Sequence, residues 1–464
     1  MRKLLIIGAG SAGQSLAREI LAHRSDRYDI VGFLDDQPFH SEFFGKPVLG
    51  RLDEARDIIF RYEIDEVLIA IPSASRQTMR RIFQALAYTP VHIKVVPGLL
   101  EIIEGTVSLS QVRQIEPVDL LGREEVTLDP ERLRPLYEDK VVLVTGGGGS
   151  IGSELVRQLL SLPIQRVVAV GRGENSLYEL LQSVRDNRLS YRIADIRDRD
   201  LMRHEFLSLR PHVVFHAAAH KHVPFMEEFP HEAVMNNILG TWHVYQAAKE
   251  AGAQRFVMIS TDKAVHPTSV MGATKRLAEL LVLSAGREDG IRVSAVRFGN
   301  VLGSRGSVLP LFIRQIQQGG PVTITHPDMK RYFMSIREAA RLVIQSATLL
   351  EGDIHILDMG EPISILDMAK TLIALYGHRP EEIEIVFTGL RPGEKLTEEL
   401  VENPQKLHPS TFKKLFYTEE ETFWSSEKRE RFLAEAEEAI KTYNAEKVRQ
   451  FLKRWLTDYQ GVSL

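Results

Sequence analysis

The chain has 464 residues, of which 44% are hydrophobic, 26% are charged and 32 are glycine. This length predicts two or three domains of ordinary size, and the balanced composition excludes collagen-like and disordered chains. The 58 Lys and Arg residues against 62 Asp and Glu residues give a formal net charge of -4, which argues against nucleic acid as a partner.

Cysteine is absent from the sequence, so disulfides, thiolate metal ligands and a cysteine nucleophile are excluded. The first apolar run is short, and nowhere do about 18 uncharged apolar residues follow one another. The sequence therefore predicts neither a signal peptide nor a membrane span, and we expect a soluble, cytoplasmic protein.

A glycine-rich turn follows the first apolar run, residues 4–7, and leads into a stretch with helical spacing. In such a unit the glycines let a pyrophosphate approach the backbone, and the helix N-terminus supplies amide donors. A single motif of this kind also occurs as a structural turn, so the ligand of the first domain stays open. The candidate nucleotide-binding residues are Gly8, Gly10, Gly13 and, at the end of the next predicted strand, Asp35.

Short apolar runs then alternate with helical stretches, which is typical of α/β proteins with parallel sheets. We predict two Rossmann-like doubly wound domains, residues 1–135 and 136–464, because Pro130 and Pro135 mark a connection. The second domain is expected to carry a small substrate lobe beyond residue 300 and two packing helices at its end. The predicted strands are residues 4–7, 29–34, 66–71, 91–96, 141–144, 166–170, 213–218, 255–260 and 291–297.

A second strand, glycine turn and helix begins at residue 141, and its glycines have wider spacing than those of the first. This spacing resembles the short-chain dehydrogenase/reductase superfamily, which implies a nicotinamide dinucleotide as cofactor. Segments that follow the third and fourth strands of this domain stand where that superfamily contacts adenine and lines the cofactor. The implied cofactor-binding residues are Gly146, Gly149, Ser150, Ile151, Gly152, Asp195, Ile196, Ala217, Ala218, Ala219 and Lys275.

Arg172 bears on the choice between NAD and NADP. It stands at the end of the second strand, where an acidic residue would bind the 2'-hydroxyl of the adenosine ribose. An arginine there is suited to a 2'-phosphate, so the sequence favours NADP over NAD.

Five blocks in order identify a closer resemblance: HAAAHKHVPFMEEFP, STDKAVHPTSVMGATKR, RFGNVLGSRGSVLPLF, THPDMKRYFMSIREA and RPGEKL. Together they resemble the UDP-N-acetylglucosamine 4,6-dehydratases of bacterial polysaccharide biosynthesis, which are extended short-chain dehydrogenases/reductases. The resemblance is strong from residue 141 to about residue 400, and the first domain resembles the one that precedes the catalytic domain in large members. Those members often begin with a transmembrane bundle, so this chain is either a naturally soluble form or a shortened one.

The resemblance implies a reaction in which hydride leaves sugar carbon 4, water is lost across carbons 5 and 6, and hydride returns to carbon 6. It assigns Asp262 as the acid at the 6-hydroxyl, Lys263 as the base at carbon 5 and Lys275 to the nicotinamide ribose. Met271 stands where the superfamily has its catalytic tyrosine, and a thioether cannot accept a proton at neutral pH. Thr261 is therefore expected to contact the sugar 4-oxygen and to relay its proton toward Lys275 or water.

Burial under the substrate would raise the pKa of Asp262 and lower the pKa of Lys263, as the two roles require, whereas an ion pair between them would oppose both changes. The nearby His216, His220 and His222 invite a metal site, but no carboxylate has matching spacing and the family needs no metal, so we expect none. The implied substrate-binding residues are Lys221, His222, Asn300, Ser307, Val308, Arg331 and Arg391. Of these, the two arginines are expected to pair with the diphosphate.

Three alternatives remain open at this point. A UDP-sugar 4-epimerase shares the fold and cofactor but needs no acid and base at carbons 5 and 6. A 5-inverting dehydratase differs only in the face on which carbon 5 is reprotonated. A non-catalytic nucleotide-sensing scaffold would explain Met271 and the additional first domain. The resemblance also implies a UDP-sugar as partner, a tightly bound and recycled cofactor, and assembly into a homo-oligomer.

Overall fold

The computed structural model describes residues 1–37, 42–72, 74–87, 89, 91–96, 113–114, 126–379 and 381–461. Within these ranges no helix is both long and apolar enough to span a membrane. The strands in chain order are β1 (Arg2–Ile7), β2 (Tyr28–Leu34), β3 (Glu42–Phe43), β4 (Lys46–Gly50), β5 (Glu66–Ile69), β6 (His92–Val95), β7 (Arg113–Gln114), β8 (Val141–Thr145), β9 (Arg166–Gly171), β10 (Leu189–Ile193), β11 (Val213–His216), β12 (Arg255–Ile259), β13 (Arg292–Arg297), β14 (Asn300–Leu302), β15 (Val322–Ile324), β16 (Lys330–Arg331), β17 (Phe333–Ser335), β18 (Ile354–Leu357), β19 (Ile363–Ser364), β20 (Ile385–Phe387), β21 (His408–Pro409) and β22 (Leu415–Thr418).

The helices connect these strands, and most of them lie between consecutive parallel strands. In the described part of the chain, the short turns Leu52–Glu54, Asp262–Ala264 and Pro404–Lys406 are 3-10 helices, and Val234–Gly240 is a π-helix. The α-helices are α1 (Ser11–His23), α2 (Ala55–Tyr62), α3 (Arg76–Leu86), α4 (Pro130–Tyr137), α5 (Ser150–Leu159), α6 (Glu174–Ser183), α7 (Arg199–Leu209), α8 (Val223–Glu228), α9 (Pro230–Ala233), α10 (Thr241–Glu250), α11 (Val270–Asp289), α12 (Val308–Gln317), α13 (Ile336–Ser346), α14 (Ile365–Leu375), α15 (Ser426–Lys441) and α16 (Ala445–Trp455).

The chain forms two compact units that do not follow chain order. The first comprises Met1–Thr127, Gly306–Ile324 and Ile365–Phe387. The second comprises Leu128–Arg305, Thr325–Ser364 and Thr388–Leu464. Two segments beyond residue 300 thus belong to the first unit, and the division of the chain into domains at residue 135 stays a prediction.

The first unit is built on a seven-stranded sheet in the order β3-β4-β2-β1-β5-β6-β7. Its central strand β1 pairs in parallel with β2 on one side and with β5 on the other. Leu4, Leu5, Ile6 and Ile7 are all buried, so apolar residues point to both faces of the sheet. A continuous apolar run is the pattern of a parallel strand that is covered on both faces.

The second unit is built on a nine-stranded sheet in the order β10-β9-β8-β11-β12-β13-β18-β22-β21. Strands from β10 to β18 are parallel, and β22 pairs antiparallel with β18. The first six strands have the order 3-2-1-4-5-6 of a doubly wound sheet, which places a crevice where the order reverses, between β8 and β11. The predicted α/β fold with parallel, Rossmann-like sheets is confirmed.

Helix α11 carries several candidate site residues and is buried around most of its circumference. Its first turn is capped by Ser269, whose hydroxyl accepts from the N–H of Gly272 at 3.1 Å. A helix that is apolar on all sides belongs in the core of a domain, and α11 packs against β13 and against the C-terminal helices. Its side chains are therefore held in fixed positions beside the end of β12.

The two helices predicted at the end of the chain are confirmed as α15 and α16. The side chain of Asn444 caps α16 by accepting from the N–H of Lys447 at 3.1 Å, as predicted. Phe432 of α15 packs edge-on to Trp455 of α16, with ring centroids 5.1 Å apart. The predicted apolar stripes therefore form a packing interface within the second unit.

Candidate active site

Four polar residues, Ser260 to Lys263, follow the last residue of β12 and lead into a tight turn. Thr261 caps the turn Asp262–Ala264, because its hydroxyl oxygen accepts from the N–H of Lys263 at 3.3 Å. The same hydroxyl donates to Oδ1 of Asp262 at 2.8 Å. The N–H of Asp262 donates to the carbonyl of Phe298 at 3.1 Å, which ties the turn to the end of the neighbouring strand β13.

The amine of Lys263 lies among three oxygen acceptors. Nζ donates to Oδ1 of Asp262 at 3.0 Å and to Oδ1 of Asn300 at 3.4 Å. Oε1 of Glu398 lies 3.6 Å from the same Nζ. Burial lowers the pKa of Lys263, but the charges of Asp262 and Glu398 outweigh it, so the pKa is raised above its ordinary value. Burial thus acts on this pKa in the expected direction, and the ion pair that was expected to oppose it has the larger effect.

Both carboxylates keep one buried oxygen without a hydrogen-bond partner among the described residues. These atoms are Oδ2 of Asp262 and Oε2 of Glu398. Asp262 has no exposed surface and Glu398 is 4% exposed. Gly299 lies against Oδ2, since a Cβ atom at Gly299 would be 3.2 Å from it. An unsatisfied buried carboxylate oxygen is costly for stability and is typical of a functional site.

Helix α11 presents Met271 and Lys275 near the end of β12. Met271 is buried within an apolar cluster that includes Val234 and Ile238. Nζ of Lys275 donates to the carbonyl of Ile259 at 2.7 Å. Burial lowers the pKa of Lys275 to about 8, against the opposing charge of Glu279. Lys275 is thus held at the last residue of the strand that leads into the Asp262–Ala264 turn.

His216, at the end of β11, is a buried structural residue. Its Nδ1 is 2.8 Å from the hydroxyl of Thr145, and its Nε2 is 2.9 Å from the hydroxyl of Thr241. Burial, together with the charge of Lys275, lowers its pKa to about 3. A neutral imidazole between two hydroxyls stabilises the junction of β8 and β11. Among the described residues, no group of three or more His, Asp and Glu side chains is arranged to hold a metal ion.

The second glycine turn fits a dinucleotide by its shape. Gly146 has φ +66, and a Cβ atom there would lie 2.7 Å from the carbonyl oxygen of Ala217. Gly152, in the first turn of α5, packs on the carbonyl of Gly146, where a Cβ atom would come within 2.1 Å. The N-cap of α5, Gly149, has no side chain to satisfy the first N–H groups of the helix. A cradle of this form suits a pyrophosphate.

Asp195 follows β10 and forms an ion pair with Arg197. Nη2 of Arg197 lies 2.7 Å from Oδ2 of Asp195, and Nη1 of Arg172 lies 3.8 Å from the same oxygen. Burial favours the neutral acid, but the hydrogen bond and charge of Arg197 lower the pKa of Asp195. Arg172 itself keeps about half of its side chain exposed. It is therefore the more accessible of the two cations that pair with Asp195.

The predicted substrate-binding residues divide between the two units. Ser307 and Val308 belong to the first unit, at the start of α12, and the others belong to the second. Nζ of Lys221 donates to the hydroxyl of Ser304 at 3.4 Å, and burial lowers the pKa values of Lys221 and His222. Asn300 lies at the start of β14, within reach of Lys263.

The two predicted diphosphate-binding arginines have different surroundings. Arg331 is buried, and its guanidinium donates to the carbonyls of Lys330, Leu396 and Lys395 at 2.7 to 2.9 Å. Arg391 is exposed, and its backbone N–H donates to Oε2 of Glu394 at 3.2 Å. The Arg331 guanidinium therefore donates mainly to backbone carbonyls, whereas the Arg391 side chain lies at the surface.

The glycine turn of the first unit has the same tight form. A Cβ atom at Gly13 would lie 2.0 Å from the carbonyl oxygen of Gly8, whereas one at Gly10 would meet nothing within 4 Å. Gly8 has φ +101. Oδ2 of Asp35 accepts from the N–H of Ala9 at 2.7 Å, so this carboxylate stabilises the turn itself.

The comparison with protein families gives two matches. A family described as "Polysaccharide biosynthesis protein" matches residues 142–420, which is more than half of the chain. The chain belongs to this family. A second family, described as "CoA-binding domain", matches residues 1–97.

The relatives and solved structures that the chain resembles cover different shares of it. The chain is 47% identical over 416 residues to the probable polysaccharide biosynthesis protein EpsC of Bacillus subtilis (strain 168), covering 88% of this chain and 69% of EpsC. The structure of Pen from Bacillus thuringiensis matches with a TM-score of 0.56 and 34% identity, covering 62% of this chain and 90% of Pen. A DesIV double mutant, described as a dTDP-glucose 4,6-dehydratase from Streptomyces venezuelae with NAD and DAU bound, matches with a TM-score of 0.50 and 25% identity, covering 56% of this chain and 88% of DesIV.

Two residues of this family member that sequence reasoning did not single out lie at the site. Glu398 lies beside Lys263. In the sequence it stands two residues after the recognised block RPGEKL. Arg305 reaches the second glycine turn, where its guanidinium donates to the carbonyl of Gly148 and its N–H donates to the hydroxyl of Ser150 at 3.1 Å. Both stand in or next to the quoted blocks, but neither has a spacing that indicates its partner.

Proposed function

We propose that the chain is a nucleotide-sugar 4,6-dehydratase that converts UDP-N-acetylglucosamine to the UDP-4-keto-6-deoxy-N-acetylhexosamine. The observation that carries the proposal is the part-buried contact of Asp262 and Lys263 at 3.0 Å, which places an acid and a base within one hydrogen bond. Such an elimination removes a proton from carbon 5 and adds one to the departing hydroxyl on carbon 6, so a base and an acid at this separation suit it. Membership of the polysaccharide biosynthesis family and the 4,6-dehydratase description of DesIV support the same reaction class.

A nicotinamide dinucleotide would lie along the second glycine turn. The cradle at Gly146 and Gly152, which Cβ atoms would fill, fits its pyrophosphate, and Lys275 would bind its ribose. When bound, a nicotinamide accepts hydride from sugar carbon 4 and returns it at carbon 6. NADP is proposed over NAD, because the half-exposed Arg172 stands at the ribose position, although DesIV is described with NAD.

The chain's own residues move the protons. Thr261 takes the proton of the sugar 4-hydroxyl and passes it to Asp262, since its hydroxyl already donates to Oδ1 at 2.8 Å. This contact supports Asp262 as the receiver, in place of the Lys275 or water that the sequence suggested. Lys263 removes the proton of carbon 5, and Asp262 protonates the departing 6-hydroxyl. Met271 contributes apolar contact only, because its thioether is a weak acceptor.

UDP is expected to be held by residues of the recognised blocks, with the exposed Arg391 as the group for the diphosphate. Asn300 is proposed to bind substrate beside Lys263, and Lys221 and His222 to line the sugar pocket. Burial lowers the pKa values of Lys221 and His222.

The test is product analysis with UDP-N-acetylglucosamine and the purified full chain. Proton NMR should show a new methyl doublet from carbon 6, without net accumulation of reduced nicotinamide. A product with an intact 6-hydroxyl and inverted carbon 4 would assign the epimerase instead, and an inverted carbon 5 would assign the 5-inverting dehydratase. Binding without any conversion would assign the scaffold.

A further inference from the structure

Lys263 has a second carboxylate neighbour that the proposed mechanism has not used. Oε1 of Glu398 lies 3.6 Å from Nζ of Lys263, and Glu398 is 4% exposed. Its other oxygen, Oε2, is buried without a hydrogen-bond partner among the described residues. Burial of a carboxylate with one unsatisfied oxygen lowers the stability of the folded chain, so a purely stabilising role does not account for Glu398.

An ion pair with Arg331 does not explain Glu398 either. Nη2 of Arg331 is 4.0 Å from Oε1 of Glu398, at the outer limit of an ion pair. Three hydrogen bonds of that guanidinium go to main-chain carbonyls at 2.7 to 2.9 Å. Lys263 is therefore the nearer cation, and Glu398 acts on the site through it.

We propose that Glu398 is a positioning residue that holds the ammonium of Lys263 and accepts its proton before carbon 5 is deprotonated, an inference that rests on the dehydratase function proposed above. Lys263 is a base only as a neutral amine. The free oxygen of Glu398 can take a proton without breaking an existing hydrogen bond of the described residues. Asp262 is not available for this purpose, because it receives the proton of the 4-hydroxyl.

The protons balance over one turnover. In the resting site Lys263 is protonated, and both carboxylates are ionised. An N–H bond of Lys263 breaks as an O–H bond forms on Glu398, while the proton of the sugar 4-hydroxyl reaches Asp262 through Thr261. Lys263 then takes the carbon 5 proton, and Asp262 gives its proton to the 6-hydroxyl, which leaves as water.

The second half of the cycle restores the resting site. Hydride adds to carbon 6, and the resulting enolate takes the proton back from Lys263 at carbon 5. Glu398 then returns its stored proton to Lys263. The one proton lost from the 4-hydroxyl leaves in the water molecule, and neither carboxylate retains a net proton.

This arrangement predicts a particular dependence on pH. The groups that face Nζ of Lys263 are Asp262, Glu398 and the neutral amide of Asn300, with the charge of Arg331 acting beyond Glu398. With Glu398 present, the transfer is internal and the number of bound protons does not change, so elimination is independent of pH near neutrality. Without it, Lys263 must release a proton to solvent, and elimination should rise about tenfold for each pH unit.

The experiment compares the full-length wild type with Glu398→Gln, Glu398→Asp and the control Glu399→Gln, which alters an exposed neighbouring carboxylate. Single turnovers with UDP-N-acetylglucosamine are followed from pH 6 to 9. Absorbance of reduced nicotinamide reports the first hydride transfer, and the carbon 6 methyl signal reports the elimination. Thermal melting and UDP-sugar affinity are recorded for each variant, because a structural role would change these instead.

We expect Glu398→Gln to reduce the cofactor at close to the wild-type rate but to form the methyl product about a hundredfold more slowly at pH 7. Its elimination should recover with rising pH, whereas the wild type and Glu399→Gln stay level. Glu398→Asp should restore part of the elimination rate, and that rate should not change with pH. If Glu398→Gln does not fold, the pH dependence of elimination in Glu398→Asp is the result that decides the test.

Three results would overturn the inference. These are a wild-type product rate in Glu398→Gln, a loss of equal size at every pH, or a pH-dependent slope in Glu398→Asp. A wild-type chain that forms neither reduced nicotinamide nor methyl product would instead contradict the dehydratase function, and the inference about Glu398 would fall with it.

Discussion

Nζ of Lys263 lies 3.0 Å from Oδ1 of the fully buried Asp262, and this contact between consecutive residues follows the end of a parallel strand. The contact raises the pKa of Lys263 despite burial. The resting pair is therefore an ion pair, whereas catalysis as proposed requires a neutral amine and a protonated acid. Substrate binding has to be accompanied by proton movement within the site.

Asp262→Asn and Lys263→Ala should each lower turnover by at least about a hundredfold, the usual scale for loss of a positioned acid or base. Asp262→Asn should still bind UDP-sugar, because its shape is kept. The measurement is the initial rate of methyl product formation, with affinity for UDP-N-acetylglucosamine as the control. A wild-type-like rate in either variant would contradict the assigned roles.

Met271→Leu should keep most activity, because a near-isosteric apolar exchange in a core costs less than about 1.5 kcal/mol. Thr261→Val should slow the first hydride transfer far more, since it removes the hydroxyl that donates to Asp262 at 2.8 Å. Single-turnover reduction of the cofactor is compared in the two variants under the same conditions. An inactive methionine variant beside a normal threonine variant would show that the proton relay through Thr261 is wrong.

Arg297→Met should lower the free energy of unfolding by about 3–5 kcal/mol, because it leaves a buried carboxylate without its main partner. Arg297 has no exposed surface, and its guanidinium donates to both oxygens of Glu279 at 2.9 and 2.6 Å. The further substitution Glu279→Gln should recover part of the loss, since it removes the unpaired charge. Denaturant unfolding of the single and double variants measures both changes, and additive losses would contradict the coupling.

Acid should destabilise the fold in part through His355, whose pKa burial lowers to about 4. In the unfolded chain this histidine binds a proton below about pH 6.5, whereas in the folded chain it stays neutral down to about pH 4. The free energy of unfolding therefore has its full value above pH 6.5 and decreases as the pH falls toward 4. His355→Gln should therefore reduce the acid loss by about 1.4 kcal/mol per pH unit between pH 6.5 and 4. Unfolding free energies over that range are compared with those of His408→Gln, which changes an exposed histidine; identical slopes in both variants would be inconsistent with this account.

The sequence predicted the parallel strands well, because continuous apolar runs and glycine turns are local signals. Asp262 and Lys263 could be singled out from equally local signals, since they follow a predicted strand and lie within the quoted block STDKAVHPTSVMGATKR. The contact between them follows from their being neighbours. Met271 was singled out in the same way, because it replaces the tyrosine of the superfamily's Tyr-x-x-x-Lys spacing.

The remaining features depend on contacts between distant parts of the chain. Glu398 reaches Lys263 only through the tertiary fold, and nothing in the residues around it indicates that neighbour. The guanidinium of Arg331 bonds to the backbone of residues 395 and 396, which no local signal indicates, and its contact with a diphosphate stays a prediction. The assignment of Gly306–Ile324 and Ile365–Phe387 to the first unit is likewise a matter of long-range packing.

The most direct test of the proposed function is to determine whether the hydrogen atom on sugar carbon 4 is transferred to carbon 6. UDP-N-acetylglucosamine carrying deuterium at carbon 4 is incubated with the full chain, and the product is examined by NMR and mass spectrometry. An internal transfer predicts that the deuterium appears in the carbon 6 methyl group, as CH2D, with no stoichiometric reduced cofactor. Recovery of the deuterium at carbon 4 of an epimer, or its loss to a released cofactor, would contradict the 4,6-dehydratase account.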